Sequence, residues 1–533
     1  MFKLPQTSQN VFSGNLETSM YLWLQRVAAW YGAVALGVIA VGISTSDAMA
    51  TNGYFFRGVP APQVKPKPLA ADLEQKLKQL RDQLKERSIR ASLVSAVEQS
   101  LLHNPELALA YSRIQQSEWS LIAVRREWVP SISATSVGPS GGLWGYRSSS
   151  TRTSVTSAAG RVDQHSYQNQ DQLAAQLSLN WTFFDPSRSS QINAANEALR
   201  SQRLLFDVSA RNLVLQTQLS YFSLQGQEQL ISAYEEILAA TTQQVKQVEA
   251  AFNIGNANIA DVEQIRTQQY QTLSLLIKTH LGLIDAAAAL ATAMALPQGQ
   301  LVLPADRLER YGQWDLTLNA SIQQAQSLRE EVQASLAEAS SANWRASALF
   351  NRYWPRLSLA ANGFYSDSYS RSDTIGRSSS ELRQTSNVDG AVGVGFNWSI
   401  FDGGIAAAEA QANKALSRQY ADQAAVQRLQ ITQDVERSYA SYDTSRMALL
   451  SSQEQATSAR QAAMAVRERY NVGYSDITSV VQTLNQAIEA ANAYSLSLRD
   501  YNSAVASLYR ATAQWPNNTL TLRDARVNEL KRR

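Results

Sequence analysis

The sequence predicts a mainly α-helical fold with four β-strands per chain, laid down twice by internal duplication. Three observations carry this. Two runs, Ser187–Asn253 and Ile405–Asn471, contain no proline and only one glycine, Gly226. A strictly alternating segment stands just before each run. Matching phrases recur in the same order along both halves. A chain of 533 residues can hold two or three ordinary domains, or one elongated body made from a repeat.

The repeat is read from its phrases. Ser92-Leu93 answers Thr317-Leu318, each a hydroxyl residue opening a helix. HNPEL (His103–Leu107) answers LREEV (Leu328–Val332), and WVPSIS (Trp128–Ser133) answers YWPRLS (Tyr353–Ser358), both 225 positions on. NWTFFDPS from Asn180 returns as NWSIFDGG from Asn397, 217 positions on. Tyr221 answers Tyr439, and FNIGNANIADV (Phe252–Val262) answers YNVGYSDITSV (Tyr470–Val480), both 218 on. The offset changes between strands, where loops absorb insertions. Ordered repetition of this kind marks stacked units or units set around an axis. The repeats span residues 92–310 and 311–516, with a C-terminal tail at 517–533. Before them, residues 51–91 hold a stiff linker, PAPQVKPKP (Pro60–Pro68), and a helix. Its Leu69, Leu73, Leu77, Leu80 and Leu84 form one coiled-coil-like packing seam.

The alternation precedes the second phrase most clearly. Val388, Gly390, Val392, Val394, Phe396, Trp398 and Ile400 share one face, against Asp389, Ala391, Gly393, Gly395, Asn397 and Ser399. The first half gives Leu173, Ala175, Leu177, Leu179, Trp181 and Phe183 against Gln172, Ala174, Gln176, Ser178, Asn180 and Thr182. Period two with one apolar and one small, polar face describes a strand between lipid and water. Trp181, Phe183, Trp398 and Phe401 stand near the strand ends, as interfacial aromatic girdles do. Partner strands start at the prolines, with Leu357, Leu359, Ala361 and Tyr365 on one face and a weaker Ile132, Ala134 pair in the first half. The polar stretches Gly138–Asp171 and Ser366–Asn387 read as exposed loops. A soluble sandwich strand alternates too, but each strand here feeds a helix far too long for a sandwich.

Four strands leave open edges, and in lipid each unpaired backbone group costs several kcal/mol. Two chains would give about eight strands, a barrel filled by its own side chains. Three copies are the smallest assembly expected to hold an aqueous channel. Each long helical run would reach about 100 Å at 1.5 Å per residue. Leu416, Tyr420, Ala424, Ile431, Val435, Tyr439 and Tyr442 keep one of its faces apolar. The runs end at NIGNAN and NVGYSD, where Gly255 and Gly473 fit positions needing positive φ, and a return helix follows.

Composition excludes several classes. A formal charge of +3 gives no nucleic-acid footprint. With no cysteine and three scattered histidines, His103, His165 and His280, no metal site, cofactor site or catalytic set is expected. VGVG (Val392–Gly395) lies on a strand and lacks the helix a phosphate loop needs. The apolar run Val27–Ser46 leads to Ala48-Met49-Ala50, a secretory leader cleaved after Ala50. A membrane helix is the other reading of its length. A start at Met20 would make the leader more conventional.

The leader, the NPEL helix, the strand starts at proline, the NWxxFD strand ends and the paired tip motifs resemble TolC-like outer-membrane efflux proteins. The resemblance covers roughly Ser92 to Pro516. It implies a homotrimer with a 12-stranded barrel in outer-membrane lipid, continued by a long antiparallel α-helical coiled-coil barrel in the periplasm. It further implies a passive exit duct for efflux or type I secretion, docked to a periplasmic adaptor and an inner-membrane transporter of RND or ABC type. Asp261 and Tyr470 fall where the family holds an acidic and an aromatic residue that bond between helices to close the tip. Asn253, Gly255, Asn471, Gly473 and Asp476 complete the candidate gating and adaptor-contact set. At Ser475, Ser479 and Gln482 the best-known members carry an arginine and two aspartates, so that lock and ring are absent here. Asp476 and Glu263 are the carboxylates placed to substitute for the ring. A soluble periplasmic scaffold and an autonomous diffusion porin are the rival functions.

Overall fold

The computed structural model describes residues 69–375, 381–516 and 519–532. The leader, the Pro60–Pro68 linker and the two ends of the C-terminal tail lie outside the described residues. The chain enters through α1 (Leu69–Glu86) and β1 (Ser88–Ala91). The first half runs α2 (Leu93–His103), α3 (Pro105–Arg126), β2 (Ser131–Ser136), β3 (Trp144–Ser157), β4 (Gly160–Phe184), α4 (Pro186–Asn253), α5 (Ile259–Ala293) and β5 (Leu301–Pro304). The second runs α6 (Leu318–Leu328), α7 (Glu330–Phe350), β6 (Arg356–Thr374), β7 (Glu381–Asn397), α8 (Ile405–Asn471) and α9 (Ile477–Ala511), and α10 (Thr519–Arg532) ends the chain. Corresponding helices have 11 and 11, 22 and 21, 68 and 67, and 35 and 35 residues. The likeness between halves therefore extends to whole helices, well beyond the short phrases.

Local chemistry fixes the helix ends. Ser92 and Thr317 accept from the Ser95 and Ala320 amides at 3.2 and 3.4 Å. Asn104 caps α3 by accepting from the Glu106 amide, and its own amide group donates to Ala293 O at 2.9 Å. That second bond ties the α2–α3 corner to the end of α5. Nearby, parallel β1 and β5 bring the start of the first half beside its end. Tyr221, buried on α4, donates to Ala91 O at 3.1 Å. Burial, helped by the Asp306 carboxylate, pushes its phenol up to about 12.

The strands form one antiparallel sheet in the order β2-β4-β6-β7, with β3 also paired to β4. β2 pairs with Ala175–Asn180 and β3 with Gly160–Leu173, so both lie along the same side of β4. This corrects the loop reading. Most of Gly138–Asp171 and of Ser366–Asn387 is strand: β3 and the upper part of β4 occupy the first stretch, β6 and β7 the second. β3 takes up the edge of β4 where β2 leaves it, so the two share one position and the sheet is four strands wide. Beyond the apolar band both faces are polar, so no alternation betrays a ladder that the backbone still forms. The strand also stops earlier than its pattern, because β7 ends at Asn397 and Trp398–Phe401 leave the ladder.

Helix α1 packs on α4 and α5 through Ala70, Leu77 and Leu84, a buried stripe with seven-residue spacing, and Leu73 is half-buried against the same cluster. Leu80 is 56% exposed and drops out of the expected seam, and the Leu69 side chain is outside the described set. The stripe follows one contact line, and Leu80 sits to the side of it.

Where the halves meet, Arg211 of α4 pairs with Glu330 of α7 at 2.8 Å and lies 4.2 Å from the Trp515 ring. Glu331 accepts from Arg510 at 2.6 Å and from Arg329 at 3.0 Å, and Arg329 also reaches Asp434 at 2.9 Å. Burial alone would raise the Glu331 carboxyl. The Arg329 hydrogen bonds and the Arg510 charge outweigh it and hold the group at about 2, against an ordinary 4.5. A depressed carboxyl stabilises the fold above its unfolded value and loses that contribution as pH falls through the folded one. We therefore expect Glu331→Gln to lower the melting temperature at pH 7 by several degrees. The difference from the parent should shrink between pH 4.5 and 2, which thermal melts across that range will measure.

Candidate functional site

The sheet presents one continuous apolar face. Pairing sets Ile132, Leu179, Ala361 and Val392 in one row, with Trp181, Leu359 and Val394 in another. Much of this face is uncovered: Val392 is 77% exposed, Val388, Val394 and Phe396 are similarly bare, and Leu179, Leu359 and Ala361 are half-buried. The other face carries Ser133, Gln176, Ser178, Asn180, Asn362 and Asp389, with Ser133 and Ser178 hydroxyls 2.8 Å apart. An unpartnered apolar face this long, backed by a polar one, suits a lipid boundary.

Aromatic residues bracket that face. At the helix-proximal end, Trp181 packs on Phe183 with ring centres 5.9 Å apart. Trp398 and Phe401 follow β7, and Phe401 is 83% exposed. At the far end a second belt, Trp144, Tyr146, Tyr167 and Tyr369, projects from the same face. It was hidden in sequence because Ser, Thr and Gln surround it. The rows of Trp181 and Asp171, the latter carrying Tyr146 and Tyr369, are ten residues apart on β4. That is about 33 Å along the strand, or roughly 25 Å along the normal at a barrel tilt near 40°. The spacing equals the hydrocarbon thickness such girdles flank.

The repeated phrase builds the strand exit. Trp181 Nε1 donates to Trp128 O at 2.9 Å, and Trp398 Nε1 donates to Tyr353 O at 2.8 Å. Each indole thus clasps the carbonyl two residues before the proline that starts the partner strand. The closing aspartates turn the chain into the helix. Asp185 accepts from the Ser187 amide at 2.9 Å, and Asp402 accepts from the Gly404 and Ala406 amides, both at 2.9 Å. The roles of Asp185 and Asp402 were missed in sequence, although an aspartate just before a helical run is a cap signal. Gly403 and Gly404 take φ of +71° and +83°, a bend that a side chain would strain.

At the other end of the long helices the two turns are superimposable in their bonding. Gly255 N donates to Phe252 O at 3.0 Å and Asn256 N to Ala251 O at 2.8 Å; Gly473 N donates to Tyr470 O at 3.0 Å and Tyr474 N to Arg469 O at 2.8 Å. Both glycines have φ of +81°. Asn253 and Asn471 end α4 and α8 and are exposed. Asp261 joins Asn258 in a capping box at 2.9 and 3.0 Å. Asp476 caps α9 by accepting from the Ser479 amide at 2.7 Å, and hydrogen bonds from Ser479 hold its carboxyl below the usual range. Burial, then the Asp261 carboxylate, push the Tyr470 phenol up, so the two residues are neighbours. No hydrogen bond joins them among the described residues. Ser475 and Ser479 are half-buried and Gln482 is exposed.

A basic residue does stand at the tip, in a place the sequence reading overlooked. Arg266 of α5 is buried and binds Glu249 of α4 at 2.6 Å and Glu263 at 2.9 Å. Glu263 is therefore neutralised within its own hairpin and is a weaker entrance charge than expected. The i,i+3 pairing of Glu263 with Arg266 was the available signal. Farther from the tip, a cleft of about 820 Å³ lies between α4, α8 and α9, bordered by Gln244, Met464 and Tyr494 and spanned by an Arg460–Glu236 ion pair. No group of residues able to hold a metal ion occurs among the described residues.

Comparison with known proteins places this geometry in a family. A family model described as outer membrane efflux protein matches residues 96–296 and 321–514. Those segments start 225 and end 218 positions apart, the offsets of the repeated phrases. The chain is 23% identical over 369 residues to the outer membrane protein TolC of Escherichia coli (strain K12), covering 66% of this chain and 73% of that protein. It is similar in fold to the CmeC outer membrane channel of Campylobacter jejuni, with a TM-score of 0.61, 15% identity, and coverage of 82% of this chain and 89% of that one. It is also similar to the outer-membrane channel OprN, with a TM-score of 0.58, 15% identity, and coverage of 86% and 95%. With both halves matched, the chain belongs to the outer membrane efflux protein family, whose members are non-enzymatic exit ducts of the outer membrane.

Proposed function

We propose that three copies close a 12-stranded barrel and a helical tunnel, forming the passive exit of a tripartite efflux or type I secretion system. A periplasmic adaptor and an inner-membrane transporter of RND or ABC type would feed it and supply the energy. The carrying observation is that, among the described residues, the sheet has two unpaired edges, β7 on one side and β2 with β3 on the other, beneath an apolar outer face. In lipid those edges need strand partners, and identical copies offer them.

The helices support the same assembly. α8 buries Ala424, Ile431, Val435, Tyr442 and Leu449 against its own chain, yet Val426, Leu429, Met447 and Leu450 stand exposed on its opposite side. Their spacing is that of coiled-coil a and d positions. A helix apolar on two opposite sides belongs between partners. Residues 92–310 and 311–516 serve as the two repeat units, behind a leader at residues 1–50 removed on export.

The tip is the proposed gate and adaptor contact, shaped by Gly255 and Gly473 and carrying Asn253, Asp261, Tyr470, Asn471 and Asp476. With no arginine lock at Ser475 and no aspartates at Ser479 and Gln482, closure rests on the Tyr470–Asp261 neighbourhood and on hairpin stiffness from Arg266. Two measurements test this reading. Membranes washed with carbonate or high salt should retain the protein and release it only into detergent, whereas release by the wash would make it a peripheral scaffold. In planar bilayers, Asp261→Asn with Tyr470→Phe should raise single-channel conductance severalfold; an unchanged conductance removes both residues from the gate.

A further inference from the structure

The two faces of the sheet treat arginine differently. On the outward face every arginine of the described strands has a carboxylate partner: Arg152 and Arg161 hold Asp163 at 2.7 and 3.1 Å, and Arg371 holds Asp373 at 3.3 Å. Strand parity carries the polar face without a break from Asn180 to the far end of β4 and along all of β7. On that inward face stand Arg147 of β3, Arg356 of β6 and Arg383 of β7, and none of them forms an ion pair among the described residues. Arg147 and Arg383 share one transverse row, through Gln170 and Ser370, immediately beyond the row of Tyr146 and Tyr369. Arg356 pairs with Asn397 at the opposite end of the sheet. Among the described strand residues the inward carboxylates are Glu381, beside Arg383 at the outer end, and Asp389 midway along β7.

We infer that the barrel lumen prefers anionic solutes, with Arg147 and Arg383 at the outer mouth and Arg356 at the inner entrance as the residues that set the preference. This rests on the exit-duct reading, since only a closed barrel turns the polar face into a lumen. Among the described strand residues three arginines face two carboxylates in each copy, so closure by identical copies multiplies a positive excess around the bore. A low-dielectric wall focuses that field into the water column. Rings of arginine line anion pores for this reason, as rings of carboxylate line cation pores. An unpaired guanidinium also keeps its donors free for a passing carboxylate, sulfonate or phosphate group. The solute class assigned is therefore small organic anions and anionic conjugates.

The test is the reversal potential of the full-length protein in planar bilayers under a tenfold KCl gradient. The parent channel should have the sign of chloride preference. Replacing the three arginines together (R147Q, R356Q, R383Q) should shift the chloride-to-potassium permeability ratio toward potassium by about threefold. R371Q, on the outward face, should leave it unchanged. Should the triple variant fail to assemble, the three single variants decide, each expected to give part of the shift. A parent channel with potassium preference, or a ratio unmoved by these substitutions, overturns the inference while leaving the duct intact. Absence of any channel from the parent protein overturns the duct reading and this inference with it.

Discussion

Satisfying backbone hydrogen bonds in a medium without water governs the rest of this structure. Every N–H and C=O at an open sheet edge in hydrocarbon is a loss of several kcal/mol. The chain nevertheless exposes a long apolar sheet face while, among the described residues, β7 and the β2/β3 line have no outer partners. Those two facts conflict in a single copy and agree in a ring of copies. The exposed coiled-coil stripe on α8 states the same demand in the helical part, where the cost is bare apolar surface.

The duplication explains how one chain meets this demand with few inventions. Both halves use an indole clasp on the partner strand, an aspartate cap into the long helix and a glycine turn at the tip. The halves differ where they face different neighbours. Arg266 staples the first tip hairpin to Glu249, whereas the position 218 residues on is Leu484, an apolar contact at the second hairpin. The junction between halves is held by a buried charge cluster around Glu330 and Glu331. Removing one partner there would leave an uncompensated buried charge, so the cluster fixes how the halves meet.

Legibility followed the solvent. Where lipid bathes one face and water the other, Val388 to Phe396 and Leu173 to Trp181 alternate, and the strands could be read directly. Beyond the outer girdle water bathes both faces, the alternation vanishes, and β3 with the upper reaches of β4, β6 and β7 was taken for loop. The two longest helices were plain because their interiors hold no proline and only one glycine, Gly226, and the tip turns because glycine sits where positive φ is required. Partnership was harder to read than position. Asp261 was anticipated as a gate residue, but its capping bond to Asn258 was not, and Arg266 escaped notice because its partner Glu249 lies on another helix. Leu80 followed the leucine spacing yet fell outside the contact line of α1.

The claim on which all of this turns is that the sheet is completed by copies of the same chain. Native mass spectrometry of the protein released from a mild detergent measures it most directly. One dominant species with the mass of three chains is expected, persisting until the detergent is made denaturing. A stable single chain, folded and free of partners under the same conditions, would contradict it.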